Sequence, residues 1–506
     1  MKLSELLQGQ DGYRLITKDD VDISDVAMHS GMVTPGSLFV ALSGSAKDGH
    51  SFIPEAIKNG AAGVVVSSTF ASSESGRGLL RQGDGIAFVV VEDPRHLFGN
   101  ITRTFFGDPS SLMPVIGITG TNGKTTVSYL LERIAAHAAY TPGVLGTINY
   151  RIGSEAVSSV NTTPDIVTIH QFLKKLRTYP NPIGILEVSS HAIKQRRVQG
   201  IHFTAGVLTN VTSDHMDYHG SRQDYIHTKL DFFRSLDSGG ASILNADDPL
   251  FPEFARASQN TIITYGIKQS AHLRAQDIVC TLGGISCTLV SDGATYPASF
   301  CLSGVHNLYN VLAAVATASY CGIGIPDTLE AIRHFPGAPG RMQQINEGQS
   351  FHVLVDYAHT ADALECVLQS LRTLVDERLI VVFGCGGDRD RSKRPLMGCV
   401  ADRYADRVYI TNDNPRSEKP ERIAEDILNG IRERDKVYVI LDRQQAIRSA
   451  LSVASGRDCV VIAGKGHEES QIVGTEQLDF NDMQVARDML RQLCTSSIIR
   501  NEGNTR

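Results

Sequence analysis

The sequence predicts an α/β protein of three domains organised around a phosphate-binding loop. Three observations carry that prediction. A glycine-rich turn, GITGTNGKTT over Gly117–Thr126, stands between an apolar run and a helical pattern. Strand-length apolar runs recur along the chain, each ending in polar or glycine-rich residues, with helical spacing between them. The length, 506 residues, exceeds what one compact core holds and suggests about three.

Composition excludes several classes. An apolar fraction of 42% suits an α/β protein with buried sheets. A net charge of −7 without a dense Lys/Arg run argues against a nucleic-acid partner despite the phosphate loop. Nine cysteines, none in CxxC spacing, suggest free thiols in a reducing compartment rather than disulfides or a zinc site. The opening MKLSELLQGQDGYR lacks a signal peptide's apolar core, and no run reaches membrane-spanning length. The expectation is a cytoplasmic protein with no membrane partner.

Residues 1–112 read as a small α/β domain. Leu38–Leu42, Val64–Val66 and Ile86–Val91 are its strands, Ser51–Asn59 is helical, and the Ser/Gly-rich stretch Ser67–Gly78 reads as a loop. Gly107–Ser111 reads as a linker. In residues 113–335, the runs Ile183–Leu186, Ala205–Leu208 and Ile243–Leu244 end in Glu187, Thr209-Asn210 and Asn245–Asp248. Such residues gather outside the carboxyl ends of parallel strands, where open sheets bind ligands. Hairpins are expected around Gly283-Gly284 and Asp292-Gly293, then a helix over Leu308–Tyr320. Residues 336–506 hold five further strands, Val353–Val355, Leu379–Phe383, Val408–Ile410, Val437–Leu441 and Val460–Ala463, alternating with helices as in a doubly wound, Rossmann-like domain.

The loop carries the clearest chemistry. Pro114–Ile118 is a strand, and Val127, Leu130, Leu131, Ile134, Ala135 and Ala138 repeat at helical spacing behind it. Gly120 and Gly123 let backbone N–H groups approach an anion at a helix start. Lys124 supplies charge for terminal phosphates and Thr125 a hydroxyl for Mg²⁺, although Ile118 stands where a strict P-loop has its first glycine. The loop is expected to bind ATP. Glu187, closing a buried strand, is the first candidate Mg²⁺ partner beyond it. His215 and His219 are four apart, which suits a metal or a solvated helix face equally. Lys229, in YIHTKLDFF, alone reads as a lysine whose stem lies along apolar neighbours.

Eleven ordered motifs bring these residues together. GTNGKTT, NTTP (Asn161–Pro164), EVSSHA (Glu187–Ala192), TNVTSDHMDYHG (Thr209–Gly220), NADD (Asn245–Asp248), GVHNLYN (Gly304–Asn310), GRM (Gly340–Met342), DYAHT (Asp356–Thr360), FGCGGDRDRSKRP (Phe383–Pro395), DNPR (Asp413–Arg416) and AGKGHE (Ala463–Glu468) follow the order seen in Mur ligases. The chain resembles that family over nearly its whole length. The resemblance implies an N-terminal UDP-binding domain, a central P-loop-type ATPase domain and a C-terminal amino-acid-binding domain. It further implies an acyl-phosphate mechanism using ATP and two Mg²⁺ ions, in a monomer acting on small molecules in peptidoglycan precursor synthesis.

By that resemblance, Lys124, Glu187, His215 and Lys229 are catalytic. Thr125, Glu187, His215 and Lys229, the last carbamylated, hold metal. ATP is held by Gly120, Thr121, Asn122, Gly123, Lys124, Thr125, Thr126, Asn307, Arg341 and Asp356, with His359 nearby. UDP-N-acetylmuramoyl-L-alanyl-D-glutamate is held by Ser30, Ser45, Ala46, Lys47, Asn161, Thr162, Thr163, Ser189, Gln195 and Arg197. The first-domain match departs from the family, since His29-Ser30-Gly31 replaces Asp-Ser-Arg; Ser213 and Ala361 replace an arginine and a proline.

Arg389, Asp413, Asn414, Pro415, Arg416, Gly464 and Glu468 are expected to bind meso-diaminopimelate. The far end of that amino acid is a zwitterion, so it calls for a fixed cation and an anion. The planar guanidinium of Arg416 matches a carboxylate as Lys cannot, and lysine in its place would leave that arginine unpaired. DNPR argues against a lysine-adding ligase. Coverage by the N-terminal domain argues against folylpolyglutamate or cyanophycin synthetases. An ATP-binding switch without catalysis is the alternative of a different class, and retention of Lys124, Glu187, His215 and Lys229 speaks against it.

Overall fold

A computed structural model describes residues 1–16, 19–44, 47–82, 85–212 and 216–503. Among the described residues three large sheets follow one another along the chain, and a small two-stranded one, Ser470–Val473 with Glu476–Asp479, lies near its end. The first has five strands in the order Tyr13–Ile16, Ala87–Val91, Gly63–Ser67, Ser37–Val40 and Asp25–Ala27, parallel except for the first. Val64, Val65 and Val66 are wholly buried, one alternation facing each of two apolar layers. Such continuous apolar runs mark parallel strands covered on both faces.

The second sheet has eleven strands. Val115–Thr119 pairs in parallel with Ala205–Leu208 on one side and Pro182–Glu187 on the other, with Glu187 opposite Ile118 and Leu208 opposite Thr119. Parallel strands need crossovers, so the ends of neighbouring strands carry turns from distant parts of the chain. The antiparallel hairpins Leu273–Thr281, Gly284–Ser291 and Ala294–Phe300 extend one edge, at the turns expected. The helix Lys124–His137 buries Val127, Leu130, Leu131, Ile134 and Ala135 on that sheet beside Val305–Tyr320.

The third sheet runs Gln343–Ile345, His352–Asp356, Cys459–Ala463, Leu379–Phe383, Arg407–Ile410 and Val437–Val439, the last five parallel. All five expected strands are present. Leu282, at the tip of the second sheet's hairpin, is buried in the same apolar cluster as Met342 and Leu364 of the third unit.

One expectation is corrected. Ser67–Gly78 is not a loop but runs through the helices Ser68–Ser72 and Glu74–Gln82. Ser67 Oγ accepts from Phe70 N at 3.2 Å and Ser73 Oγ from Gly76 N at 3.0 Å, so these serines cap helices. Ala71 is buried, and Phe70, Leu79 and Leu80 pack against the first core. Capping and burial outweigh weak Ser/Gly propensity.

Candidate active site

The loop after Val115–Thr119 is clamped by the end of the neighbouring strand. Thr121 N donates to Asn210 O at 2.8 Å, Asn122 N to Asn210 Oδ1 at 3.0 Å, and Thr209 Oγ1 to Asn122 O at 2.6 Å. Gly120 and Gly123 have φ of 148° and 89°, and a Cβ on either would collide with Thr209 Oγ1 or Asn310 Oδ1. Only glycine fits both the turn and its neighbours. The helix Lys124–His137 starts there, with its N-terminal N–H groups at the loop. Lys124 Nζ donates to Gly120 O and Thr121 O, at 2.9 Å each.

Glu187 is the hub of the site. Its residue is 1% exposed. Oε2 accepts from Thr125 Oγ1 at 2.9 Å and Thr147 Oγ1 at 2.8 Å, while Oε1 accepts from Thr147 N at 3.2 Å and Ser128 Oγ at 3.3 Å. These donors are hydroxyls and one amide, which solvate the carboxylate without neutralising it. Thr163 Oγ1 donates to Glu187 O at 2.7 Å and accepts from Ser189 N at 3.0 Å. Arg197 Nη1 donates to Thr163 O at 2.8 Å, and its Nη2 to Gln195 Oε1 at 2.6 Å. Burial pushes the Arg197 guanidinium below its usual value. Thr162 Oγ1 is 3.2 Å from Thr147 Oγ1, and Asn161 O accepts from Tyr150 OH at 2.6 Å. Asn161–Thr163, Ser189, Gln195 and Arg197 therefore adjoin Glu187. Lys229 is also buried, with Nζ 3.4 Å from Thr119 Oγ1 and 4.7 Å above the Tyr225 ring.

A cavity of about 260 Å³ lies between this loop and the third sheet, lined by Asn307, Arg341, Asp356 and His359 as well as the loop itself. Arg341 lies 4.5 Å over the Tyr357 ring, and its Nη2 reaches 3.5 Å from Thr125 Oγ1. Asp356 accepts from Met342 N at 2.6 Å and Ala358 N at 2.8 Å. Burial pushes its carboxyl above the usual range, with Arg341 pulling the other way. Asn310 Nδ2 donates to Asn307 Oδ1 at 3.1 Å, and Asn307 Nδ2 to Ser303 O at 2.9 Å.

A second cluster sits at the carboxyl ends of the third sheet. The DNPR turn packs against the turn after Leu379–Phe383 and the turn after Cys459–Ala463. Arg416 takes φ 52°, and its Nη1 donates to Gly387 O at 2.8 Å. Arg389 Cγ stands within ordinary contact of the Cβ position at Gly386. Asn414 Nδ2 donates to Glu468 Oε2 at 3.1 Å, and Asp413 O accepts from Gln471 Nε2 at 2.7 Å. Asp413, Asn414, Arg416, Gly464 and Glu468 thus form one neighbourhood.

Ser30 and Lys47 stand apart, in the first unit. Ser30 Oγ donates to Glu55 Oε2 at 2.8 Å, and Lys47 Nζ lies 5.9 Å from the Phe52 ring. An ion pair of Arg196 with Asp93 joins that unit to the Gln195–Arg197 turn. Ser45, Ala46 and His215 lie outside the described residues. Among the described residues no three His, Cys, Asp or Glu side chains gather as a metal cluster. Thr147 and Lys465 were missed by sequence reasoning. Thr147 has a findable signal, because it closes the strand Thr141–Leu145 two residues on, as Glu187 closes its own.

Residues 118–318 match the Mur ligase middle domain, 340–466 the Mur ligase glutamate ligase domain, and 22–106 the Mur ligase family catalytic domain. The chain is similar to the UDP-N-acetylmuramoyl-L-alanyl-D-glutamate–2,6-diaminopimelate ligase of Geobacillus thermodenitrificans, 38% identical over 97% of this chain and 100% of the relative. It is similar to that of Aquifex aeolicus at 40% identity over 92% and 94%. A solved structure of a ligase of that name superposes with a TM-score of 0.68 at 32% identity, covering 93% of this chain and 95% of the other.

Proposed function

Because the chain belongs to the Mur ligase family, we propose that the loop site of the second unit and the cluster of the third form one reaction centre that spends ATP to make an amide bond. It is an ATP-dependent ligase that adds 2,6-diaminopimelate to UDP-N-acetylmuramoyl-L-alanyl-D-glutamate. The observation that carries the assignment of parts is the meeting at Thr125. Its hydroxyl donates to Glu187 of the second unit and stands 3.5 Å from Arg341 of the third.

A carboxylate oxygen of the peptide attacks the γ-phosphorus of ATP, the bond to the bridging oxygen breaks, and ADP leaves. The amine nitrogen of the incoming amino acid then attacks the acyl carbon, gives up a proton, and phosphate departs from the tetrahedral intermediate. Two anions meet in the first step, so positioning and positive charge decide its rate. Lys124, the loop N–H groups and Arg341 supply charge around the phosphates. Thr163, Ser189, Gln195 and Arg197 hold the peptide end, and Asn307 and Asp356 line the nucleotide cavity. Ser30 and Lys47, with Ser45 and Ala46, take the uridine end in the domain of residues 1–112; residues 113–335 hold ATP and 336–506 the amino acid.

The donor set around Glu187 fits Mg²⁺. That ion takes one or two carboxylates, hydroxyl or water oxygens and substrate phosphates rather than a closed protein cage. Thr125 and Glu187 would hold it, and its chemistry there is to neutralise phosphate charge. Lys229 is the candidate for carbamylation, which turns a buried ammonium with its desolvation cost into an oxygen ligand; with His215 it would serve a second ion. The substrate is read as the meso isomer, taken up by a cytoplasmic monomer.

ADP release is expected only when ATP, Mg²⁺, the nucleotide-linked dipeptide and meso-diaminopimelate are all present. In the same assay Lys229→Ala loses turnover that short-chain acids partly restore. A wild-type chain inert with every reactant refutes the function; full activity in Lys229→Ala refutes the carbamate.

A further inference from the structure

We propose that Lys465, between Gly464 and Gly466, is the positioning residue that gives the amino-acid pocket its anion. The inference rests on the reading of that pocket given above. Lys465 is wholly buried, a rare state for an ammonium unless it is paired. Its Nζ donates to Glu468 Oε2 at 2.8 Å and Asn414 Oδ1 at 3.1 Å.

The local backbone drives the side chain inward. Gly464 takes φ 114°, with Asp413 Oδ2 2.8 Å from where its Cβ would stand, so the turn is pressed flat against DNPR. The Asn414 amide is then oriented unambiguously. Its Oδ1 accepts from both Lys465 and Ile472 N, the latter at 2.9 Å, and its Nδ2 donates to Glu468 Oε2.

Glu468 therefore receives two donors on Oε2, while its side chain is 33% exposed against 0% for Lys465. The pair is one-sided. A buried cation holds one carboxylate oxygen and leaves Oε1 to face a ligand ammonium. Charge-assisted bonds of this length fix direction. Without Lys465, Glu468 loses the contact that keeps it turned, and Asn414 loses a donor that sets its amide. The residue acts through Glu468 and Asn414, so its removal should weaken capture of the amino acid and leave the nucleotide and peptide sites alone.

The test is steady-state kinetics on the full chain with each substrate varied in turn. Lys465→Met is expected to raise KM for meso-diaminopimelate by about tenfold or more, with KM for ATP and for the nucleotide-linked dipeptide within about twofold of wild type. A double-mutant cycle supplies the second readout. Because the lysine acts mainly on an anion, adding Lys465→Met to Glu468→Gln should raise KM by no more than about threefold over Glu468→Gln alone. Lys465→Gln carries the same test should the Met variant fail to fold. An unchanged KM for diaminopimelate, an equal loss on all three substrates, or a fully multiplicative double variant overturns the inference. A wild-type chain that turns over without diaminopimelate, or not at all, overturns instead the pocket reading on which it stands.

Discussion

The loop site around Glu187 and the proposed amino-acid pocket around Glu468 handle a carboxylate in opposite ways. Glu187 is surrounded by neutral donors from Thr125, Ser128 and Thr147, so its charge is solvated but remains available. Glu468 is met by the buried ammonium of Lys465, so this carboxylate is paired before any ligand arrives. A solvated anion attracts a strong cation from outside, which suits a site that must collect metal and phosphates. A balanced pair offers direction rather than net charge, which suits choosing between two similar amines. The first site should govern the rate of every reaction and the second the identity of the nucleophile.

The largest effect that could break this division is at Glu187. Glu187→Gln keeps the shape and most hydrogen bonds but removes the charge. Initial-rate ADP release is expected to fall by roughly 10³-fold in kcat, equally for any amino acid offered. A loss confined to diaminopimelate would erase the distinction. Arg416→Lys comes next. It should lower kcat/KM for meso-diaminopimelate by about 10²-fold and change that for L-lysine by less than about threefold. Equal losses on both amino acids would show that Arg416 braces the turn rather than reads the ligand.

The smallest effect concerns the scaffold under the second pocket. The fully buried Arg394 hydrogen-bonds Glu418, holding that carboxyl down at about 2, and Glu418 also accepts from Asp388 N at 2.7 Å. A carboxyl whose folded value is depressed stabilises the protein above its ordinary value near 4.5 and ceases to do so as pH falls toward about 2. Glu418→Gln should therefore melt a few degrees, about 2–4 °C, below wild type at neutral pH. The gap should be full at pH 6 and close on acidification below about 4.5. A gap that stays constant from neutral to acid pH would deny the pairing any such role.

The two sites were not equally legible. The loop could be read because its requirements are local: glycine where backbone must approach, a lysine and threonine at a helix start. The nearness of Glu187 to Thr125 was legible because a carboxylate closes a buried strand of the sheet that carries the loop. Gly464 and Glu468 are expected from their motif, yet Lys465 between them was passed over, since nothing local says which way a lysine in a glycine turn will face. Its burial follows from Asn414 arriving from 51 residues upstream, a tertiary fact. Ser67–Gly78 failed for the complementary reason, because serines that cap helices have the composition of a loop.

Leu282 gives the join between the second and third units a mechanical meaning. A side chain from one lies sealed inside the other, and Ser303 Oγ pins its carbonyl at 2.7 Å. Pulling it out would open an apolar notch costing roughly 1.5–3 kcal/mol, which favours the docked arrangement of the two lobes. Any hinge that leaves this plug seated turns about it.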